Sequence, residues 1–175
     1  MVFSAVSLSA QQTAAPARWN FGLEQDFLPY ATGGYYAGVW AGKGHLRGRA
    51  LLAANVHKPD FIVPDGFTNN RVSAFAVVAD YFLRNEWKGW WISAGGVYWN
   101  SSIEDAERTA KASYKNYLLN GSLGYQWRFY RHFYLSPWAG MHILVGGNKR
   151  VQVGARELKP ALFNPEASLK LGWYF

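Results

Sequence analysis

The sequence lacks cysteine and lacks any long apolar run. With no cysteine among its 175 residues, the chain has neither disulfides nor thiolate metal ligands. Its longest apolar stretches are as short as residues 74–79, AFAVVA, whereas a transmembrane helix needs about 18 to 20 consecutive apolar residues. Helical membrane spans are therefore excluded, and the length predicts a single domain.

Acidic residues are also scarce. The chain has 11 Asp and Glu against 18 Lys and Arg, for a formal net charge of +7. A nucleic-acid-binding protein gathers its bases into one patch with exposed stacking aromatics, but here the bases are scattered, so we predict no nucleic-acid partner. No two histidines stand at a metal-ligand spacing. We therefore predict no metal and no other cofactor.

The first residues form an unusual segment. Residues 1–17 read MVFSAVSLSAQQTAAPA, a stretch of small and apolar residues followed by polar ones, as at the end of a secretory signal peptide cleaved near Ala10. No basic residue precedes Arg18, so the positive start of such a signal is missing. We interpret residues 1–17 as a truncated signal peptide, with a disordered leader as the alternative, and residues 18–175 as the folded domain.

Aromatic and apolar residues are plentiful, at 18% and 50% of the chain, and they recur at every second position. This period is typical of β-strands, whose successive side chains point to opposite faces. In residues 116–129, for example, Tyr117, Leu119, Leu123 and Trp127 alternate with polar residues and glycine. Eight such runs are predicted, at residues 19–27, 35–42, 45–57, 74–83, 90–103, 116–129, 133–145 and 166–175.

The connections and the aromatic residues follow a second pattern. Short turns come after the second, fourth and sixth runs, and mostly longer connections follow the others, as in barrels of the outer membrane. Aromatic residues on the apolar face concentrate near the two ends of the strands, where amphipathic rings favour a lipid–water boundary. The predicted interface aromatics are Trp19, Phe27, Phe75, Tyr81, Tyr117, Trp127, Phe133, Trp173 and Phe175.

The last run, with Leu169, Leu171, Trp173 and Phe175, carries the only local motif. In this strand and in its architecture, the chain resembles the small eight-stranded outer-membrane proteins of Gram-negative bacteria. The resemblance implies an all-β, antiparallel, up-and-down transmembrane β-barrel in the bacterial outer membrane. It also implies that the C-terminal strand is recognised by the barrel-assembly machinery. We expect a monomer in contact with outer-membrane lipid and lipopolysaccharide.

The polar face of these strands contains both acids and bases. An eight-stranded barrel has an interior that side chains just fill, so we predict a plugged polar lumen with internal ion pairs rather than a wide, porin-like channel. A lone buried charge costs several kcal/mol. Asp80 is expected near Arg47 or Arg49, and Lys170 near Glu24. The predicted network contains Glu24, Asp26, Arg47, Arg49, Asp80, Arg128, Glu166 and Lys170.

Two alternatives to a non-enzymatic structural or surface-interaction role are open. Some barrels of this size are acyl hydrolases or acyltransferases that modify lipid A, and His57 and His142 fall toward the predicted outer rim. The His-x-Ser signature of the deacylases is absent, so we predict no catalytic residues. The less favoured alternative is a soluble, lipocalin-like carrier, which would turn its apolar face inward.

Two predicted loops carry further information. Residues 59–70, PDFIVPDGFTNN, are expected to pack on themselves or to cover the mouth of the barrel. In the connection 146–160, Lys149, Arg150, Arg156 and Lys159 outnumber Glu157. These four bases are candidate contacts for lipopolysaccharide phosphates, or else a solvated surface loop.

Overall fold

A computed structural model describes residues 18–84 and 87–175. The predicted leader, residues 1–17, lies outside the described residues. Eight long antiparallel strands form the sheet, and a short helix and a small hairpin lie in its connections. The elements are β1 Trp19–Asp26, α1 Phe27–Ala31, β2 Tyr35–Lys43, β3 Leu46–His57, a 3-10 turn Asp60–Ile62, β4 Phe67–Phe82, β5 Gly89–Asp105, β6 Lys111–Tyr130, β7 Phe133–Gly147, β8 Val151–Val153, β9 Arg156–Leu158 and β10 Phe163–Tyr174.

The eight long strands close into a ring. Their order is β1-β10-β7-β6-β5-β4-β3-β2, and β2 pairs with β1 to complete the circuit. Every pair is antiparallel. The expectation of an all-β chain with eight antiparallel strands is therefore confirmed. The hairpin of β8 and β9 is separate from the ring and lies in the connection from β7 to β10.

The strands are mostly longer than the sequence predicted, and the additions lie toward the long connections. β4 begins at Phe67 rather than at residue 74, and β6 begins at Lys111 rather than at residue 116. In the extension of β4, irregular pairing interrupts the alternation, because the β4–β5 ladder shifts its register between Thr68 and Arg71. The β3–β4 ladder shifts its register between Ala53 and Val56, and Asn55 there has a φ of 56°, as in a β-bulge.

Side-chain polarity is inverted relative to that of a water-soluble domain. Large apolar side chains point outward along every long strand, as with Trp19 at 62% and Leu119 at 55% exposure. Six charged side chains of the long strands are buried inside, and Glu24 and Asp80 are each only 1% exposed. In β2 and β5, large apolar residues stand on both faces, and the structure shows that Trp40 and Trp91 point inward.

Candidate functional site

The charged cluster begins at the β3–β4 hairpin. Arg47 and Arg49 are two residues apart on β3, so both side chains enter the ring, and Arg47 is the direct cross-strand partner of Asp80. Asp80 accepts from Arg47 Nε at 2.6 Å through one oxygen and from Arg49 Nη2 at 2.8 Å through the other. One carboxylate therefore holds two guanidinium groups, where the sequence predicted only one or the other.

Glu24 of β1 joins this hairpin to the opposite wall. Its Oε1 lies 2.9 Å from Arg49 Nη1, and its Oε2 lies 3.9 Å from Arg47 Nη1. On the far side of the ring, the hydroxyl of Tyr134 on β7 donates to Glu24 Oε2 at 3.0 Å. The network therefore ties together β1, β3, β4 and β7 across the interior.

A second pair, Lys170 of β10 and Asp26 of β1, extends the cluster toward the loops. Lys170 Nζ lies 2.5 Å from Asp26 Oδ2 and 4.0 Å from Glu24 Oε1. Trp138 Nε1 donates to the same Asp26 oxygen at 2.9 Å, and the Ser168 hydroxyl donates to the other. Lys170 was expected beside Glu24, but its closest carboxylate is that of Asp26.

Taken together, the cluster is electrically balanced. Its acids are Glu24, Asp26 and Asp80, and its bases are Arg47, Arg49 and Lys170. All six are buried, and removing one partner of such a pair leaves a buried charge without compensation. The arrangement therefore acts as a rigid cross-brace between strands that are distant in sequence.

Aromatic side chains fill the interior of the strand ring beneath these charges, at the short-turn end. The buried cluster consists of Trp40, Phe82, Trp87, Trp91 and Tyr134. Glycines on neighbouring strands make room for the rings, because a Cβ on Gly172 would lie 1.9 Å from Tyr134 Cζ. The guanidinium carbon of Arg47 lies 4.9 Å from the centre of the Phe82 ring, so the charged and aromatic layers are in direct contact. This end of the lumen is packed with side chains.

Two members of the predicted network lie elsewhere. Arg128 points to the inner face but is exposed at the turn-side rim, where its guanidinium lies 4.4 Å from the ring centre of Tyr174. It is too close to the end of β6 to reach the cluster. Glu166 is half-buried near the loop end of β10 and bonds His142 Nε2 at 2.8 Å. Both residues lie too near the end of their strand to reach the cluster. The alternation of polar and apolar residues predicts which face a side chain is on, but not how far along the strand it lies from a partner.

The loop-side half of the lumen differs from the prediction, because it is neither filled nor polar throughout. Inward-facing Ala76, Val78, Val97 and Leu118 form a buried apolar cluster. Beside it lies a cavity of about 450 Å³. The polar, plugged lumen that we predicted is therefore found only in the turn-side half. Aliphatic residues on the inner face of β4 and β5 account for the difference.

The histidines make no catalytic arrangement with serine. His142 contacts Glu166 through Nε2, and its Nδ1 lies 3.4 Å from the side-chain nitrogen of Asn120. His57 lines the cavity. Throughout residues 18–84 and 87–175, no serine hydroxyl is hydrogen-bonded to a histidine. The His142–Glu166 pair thus has a base and an orienting acid but no adjacent nucleophile.

The predicted interface aromatics lie on the outer surface, but Phe75 and Tyr117 lie within the extended strands β4 and β6 rather than near their ends. Eight of the nine are exposed, and Phe133 is half-buried. At the turn-side end, the rings contact one another: Trp173 stacks on Phe133 with centres 5.7 Å apart and packs against Phe175 at 5.2 Å. Toward the loops, Tyr117 packs against Tyr98 at 5.5 Å. Phe27 lies in α1 rather than in β1.

The four bases predicted to contact lipopolysaccharide surround the β8–β9 hairpin and are exposed. Arg150 Nη1 lies 3.5 Å from Glu157 and Lys159 Nζ lies 4.0 Å from it. Arg156 reaches the neighbouring β5–β6 turn and pairs with Glu107 at 2.9 Å. Lys149 lies just before β8. The hairpin therefore presents cations at the surface, partly compensated by two glutamates.

Sequence reasoning missed the polar aromatic side chains that complete the charged cluster. Tyr36 and Tyr134 both approach Glu24, at 3.4 and 3.0 Å, and Trp138 donates to Asp26. A signal was present for Tyr134 and Trp138, which stand on the polar face of their strand, whereas the alternation around Tyr36 did not decide which face is polar. Gln126, which accepts from Arg47 Nη1 at 3.0 Å, was on the predicted inner face without an assigned role.

Comparison with protein-family models, curated proteins and solved structures finds no match to this chain. Within the described ranges, no group of three or more acidic or histidine side chains is arranged to hold a metal ion. The helical part of residues 18–84 and 87–175 contains no segment long and apolar enough to cross a membrane. Function must therefore be argued from the geometry of the ring and its interior.

Proposed function

We propose that this protein is a non-enzymatic integral protein of the bacterial outer membrane, an up-and-down transmembrane β-barrel with a structural or surface-interaction role. The observation that carries the proposal is the inverted polarity of the ring. Exposed apolar side chains cover the outer wall, and balanced ion pairs are buried inside. In water such an outer wall would be unfavourable, since large exposed apolar patches mark contact surfaces.

The spacing of the outward aromatics supports a bilayer as the partner of this wall. Trp90 and Tyr98 on β5 are eight residues apart, and Tyr117 and Trp127 on β6 are ten apart, which corresponds to roughly 26 to 33 Å along a strand. At the usual strand tilt of about 40°, this becomes roughly 20 to 25 Å, close to the apolar band of outer-membrane barrels.

The packed turn-side half of the lumen supports a role without a wide channel. Three carboxylates, three cations and five large aromatic side chains occupy it. A role in lipid A modification finds less support, because no serine hydroxyl is hydrogen-bonded to His57 or His142 in the part of the chain that the structure describes. Contact of Lys149, Arg150, Arg156 and Lys159 with lipopolysaccharide, and recognition of the C-terminal strand by the assembly machinery, stay predictions.

Two measurements on the refolded protein test the membrane assignment. We expect it to float with lipid vesicles in a density gradient and to migrate differently on a gel before and after boiling. A soluble carrier would remain in the buffer fraction and show no heat-dependent shift, and that outcome would overturn the proposal. Mass spectrometry of lipid A from cells expressing the chain should show no change, and a changed acyl pattern would favour the enzyme.

A further inference from the structure

The wall of the ring is incomplete on one side of β10. The β1–β10 ladder has only five residue pairs, which join Gly22–Asp26 to Lys170–Tyr174. From Phe163 to Leu169, the paired strand is β7 alone. On the other side lies α1, whose Leu28 backbone N–H donates to the Ser168 hydroxyl at 3.2 Å. A short helix therefore stands where a strand would be needed to continue the wall.

The cavity in the loop-side half reaches this interruption. Its lining includes Leu28 and Pro29 of α1, together with Pro165 and Ala167 of β10. Pro165 and Ala167 are exposed and belong to the outward-facing set of β10, so they contact the cavity only around the unpaired edge of the strand. The cavity thus extends to the unpaired edge of β10 beside α1, within the loop-side half of the ring.

The body of the cavity is suited to an apolar occupant. Its walls include Leu51, Val72, Val97, Leu118 and Leu144. Its volume of about 450 Å³ lies in the range of roughly 300 to 1,000 Å³ typical of small-molecule sites. Aliphatic walls of this kind favour apolar molecules, and the polar side chains of Asn116, Asn120 and His142 share the lining with them. The floor consists of the compensated charges of Asp26, Arg49 and Lys170.

At the loop-side mouth stands a cation that forms no ion pair within the described residues, although Glu166 also lines the cavity and acts on its charge. Lys58 lines the cavity just beyond β3. Its Nζ lies 4.1 Å from the ring centre of Trp99 and 3.4 Å from the side-chain oxygen of Asn164. Among residues 18–84 and 87–175, no carboxylate lies at ion-pair distance from this ammonium group. An anionic head placed here would gain a charge-assisted hydrogen bond.

We propose that the loop-side cavity is a binding site for one acyl chain of an anionic amphiphile. The acyl chain lies between the aliphatic walls of the cavity, and the anionic head lies beside Lys58. The gap between α1 and β10 connects the site to the surrounding lipid. Free fatty acids and membrane phospholipids both provide this chemistry. The proposal goes beyond the membrane assignment, because it concerns the lumen rather than the outer wall.

Photo-crosslinking locates the acyl chain directly. The folded full chain in lipid vesicles is irradiated with a diazirine-labelled dodecanoic acid or, separately, with a phosphatidylglycerol that carries a diazirine in one chain. Labelled peptides are then mapped by mass spectrometry. Labels on inward residues such as Leu118 and Val97 support the site. The probe that produces these labels shows whether the bound acyl chain belongs to a free fatty acid or to a phospholipid. Labels confined to outward residues such as Leu119 and Leu123 would overturn it.

Leu118 and Leu119 provide a matched pair of variants, because they are adjacent leucines on opposite faces of β6. Leu118→Trp fills the cavity and should abolish the inward label, whereas Leu119→Trp changes only the outer wall and should leave it intact. Heat-dependent gel mobility shows whether each variant is folded. An inward label that survives in folded Leu118→Trp would contradict the proposal.

A second pair of variants tests the head group and does not depend on filling the cavity. In Lys58→Met, the concentration of unlabelled dodecanoic acid needed to displace the diazirine-labelled probe should rise by roughly fivefold to tenfold. The concentration of uncharged dodecanol needed for the same displacement should stay unchanged. Lys111→Met, at an exposed lysine that begins β6, should alter neither. Equal loss for acid and alcohol would assign Lys58 a purely structural role and overturn this placement of the head. Outward labelling reports membrane contact separately, so failure of the site is distinguishable from failure of the membrane assignment.

Discussion

At the scale of single residues, Asp80 holds the charged cluster together. It is the direct partner of Arg47 on the neighbouring strand and also reaches Arg49. Only Glu24 would remain to compensate both guanidinium groups if the charge of Asp80 were lost. The position of this pair was predictable from sequence, because the two strands form a hairpin and their polar positions are in register.

We therefore expect Asp80→Asn to lower the free energy of unfolding by about 3 to 5 kcal/mol, as for other buried pairs that lose one partner. Glu107→Gln breaks the exposed pair with Arg156 and should cost no more than about 1 kcal/mol. Urea unfolding of both variants in lipid vesicles measures the difference. Similar small losses for the two would mean that the buried charges do not brace the ring.

Lys58 gives a pH-dependent prediction. Burial lowers its pKa to about 8, although the carboxylate of Glu166 acts in the opposite direction. The groups facing it are Trp99 on β5 and Asn164 on β10, with His142 bonded to Glu166. Because a depressed lysine pKa means that the ammonium is lost on going above about pH 8, binding of an anionic amphiphile should be strongest below that pH.

Competition by dodecanoic acid, measured at pH 7 and pH 9.5, checks this expectation. The wild-type protein should bind more weakly at the higher pH, while Lys58→Met should show the same affinity at both. A pH effect that persists in Lys58→Met would assign the titration to another group.

At the scale of elements, close contact between strands and rings depends on glycine. Gly172 of β10 lies against the inward ring of Tyr134, whereas Gly121 of β6 faces outward with open space around its Cα. Neither glycine has a positive φ, so the two positions differ in the space available rather than in backbone conformation. The two glycines are therefore a matched pair for substitution by alanine, which adds one methyl group at each position.

We expect Gly172→Ala to destabilise the protein by about 1 to 3 kcal/mol, because the new methyl group overlaps the Tyr134 ring and this part of the core is full. Gly121→Ala should be neutral or slightly stabilising, since alanine reduces the freedom of the unfolded chain. Unfolding in urea compares them. Equal effects would show that Tyr134 can move aside at no cost.

The elements that sequence predicted well are those with uninterrupted alternation. Residues 116–129 of β6 and the core of β7 were placed with the correct faces. The extension of β4 toward the loops was missed where an irregularity breaks the period, at Asn69, which has a positive φ. The hairpin of β8 and β9 was also missed, because three-residue strands are too short to show a period.

At the scale of the whole molecule, the sequence indicated which side chains face inward. It did not indicate which of them contact one another across the interior or where a cavity remains. Pairs between hairpin neighbours could be inferred, whereas the contact of Tyr134 with Glu24 spans 110 positions and depends on ring closure. The cavity is a property of several strands at once. It arises because small and aliphatic residues meet on the inner faces of β4, β5 and β6, next to the edge of β10 that lacks a strand partner.

The same scale gives the most direct test of what surrounds the ring. Leu123 lies on the outward face of β6, between Tyr117 and Trp127, near the middle of the apolar band. If this band contacts lipid, Leu123→Arg should lower the free energy of unfolding by about 2 to 4 kcal/mol. Leu162→Arg makes the same change at an exposed site in the connection before β10, where the expected loss is about 0 to 1 kcal/mol.

Urea unfolding in lipid vesicles measures both variants, with gel mobility as the check that each is folded beforehand. The comparison is sharp because the two leucines are about equally exposed, at 52% each, and therefore lose similar contacts with the protein itself. A difference between them must then come from the surroundings of the outer wall. If the wall were in contact with water, arginine would be tolerated equally at both positions, and the polarity of the ring would need an explanation other than a membrane.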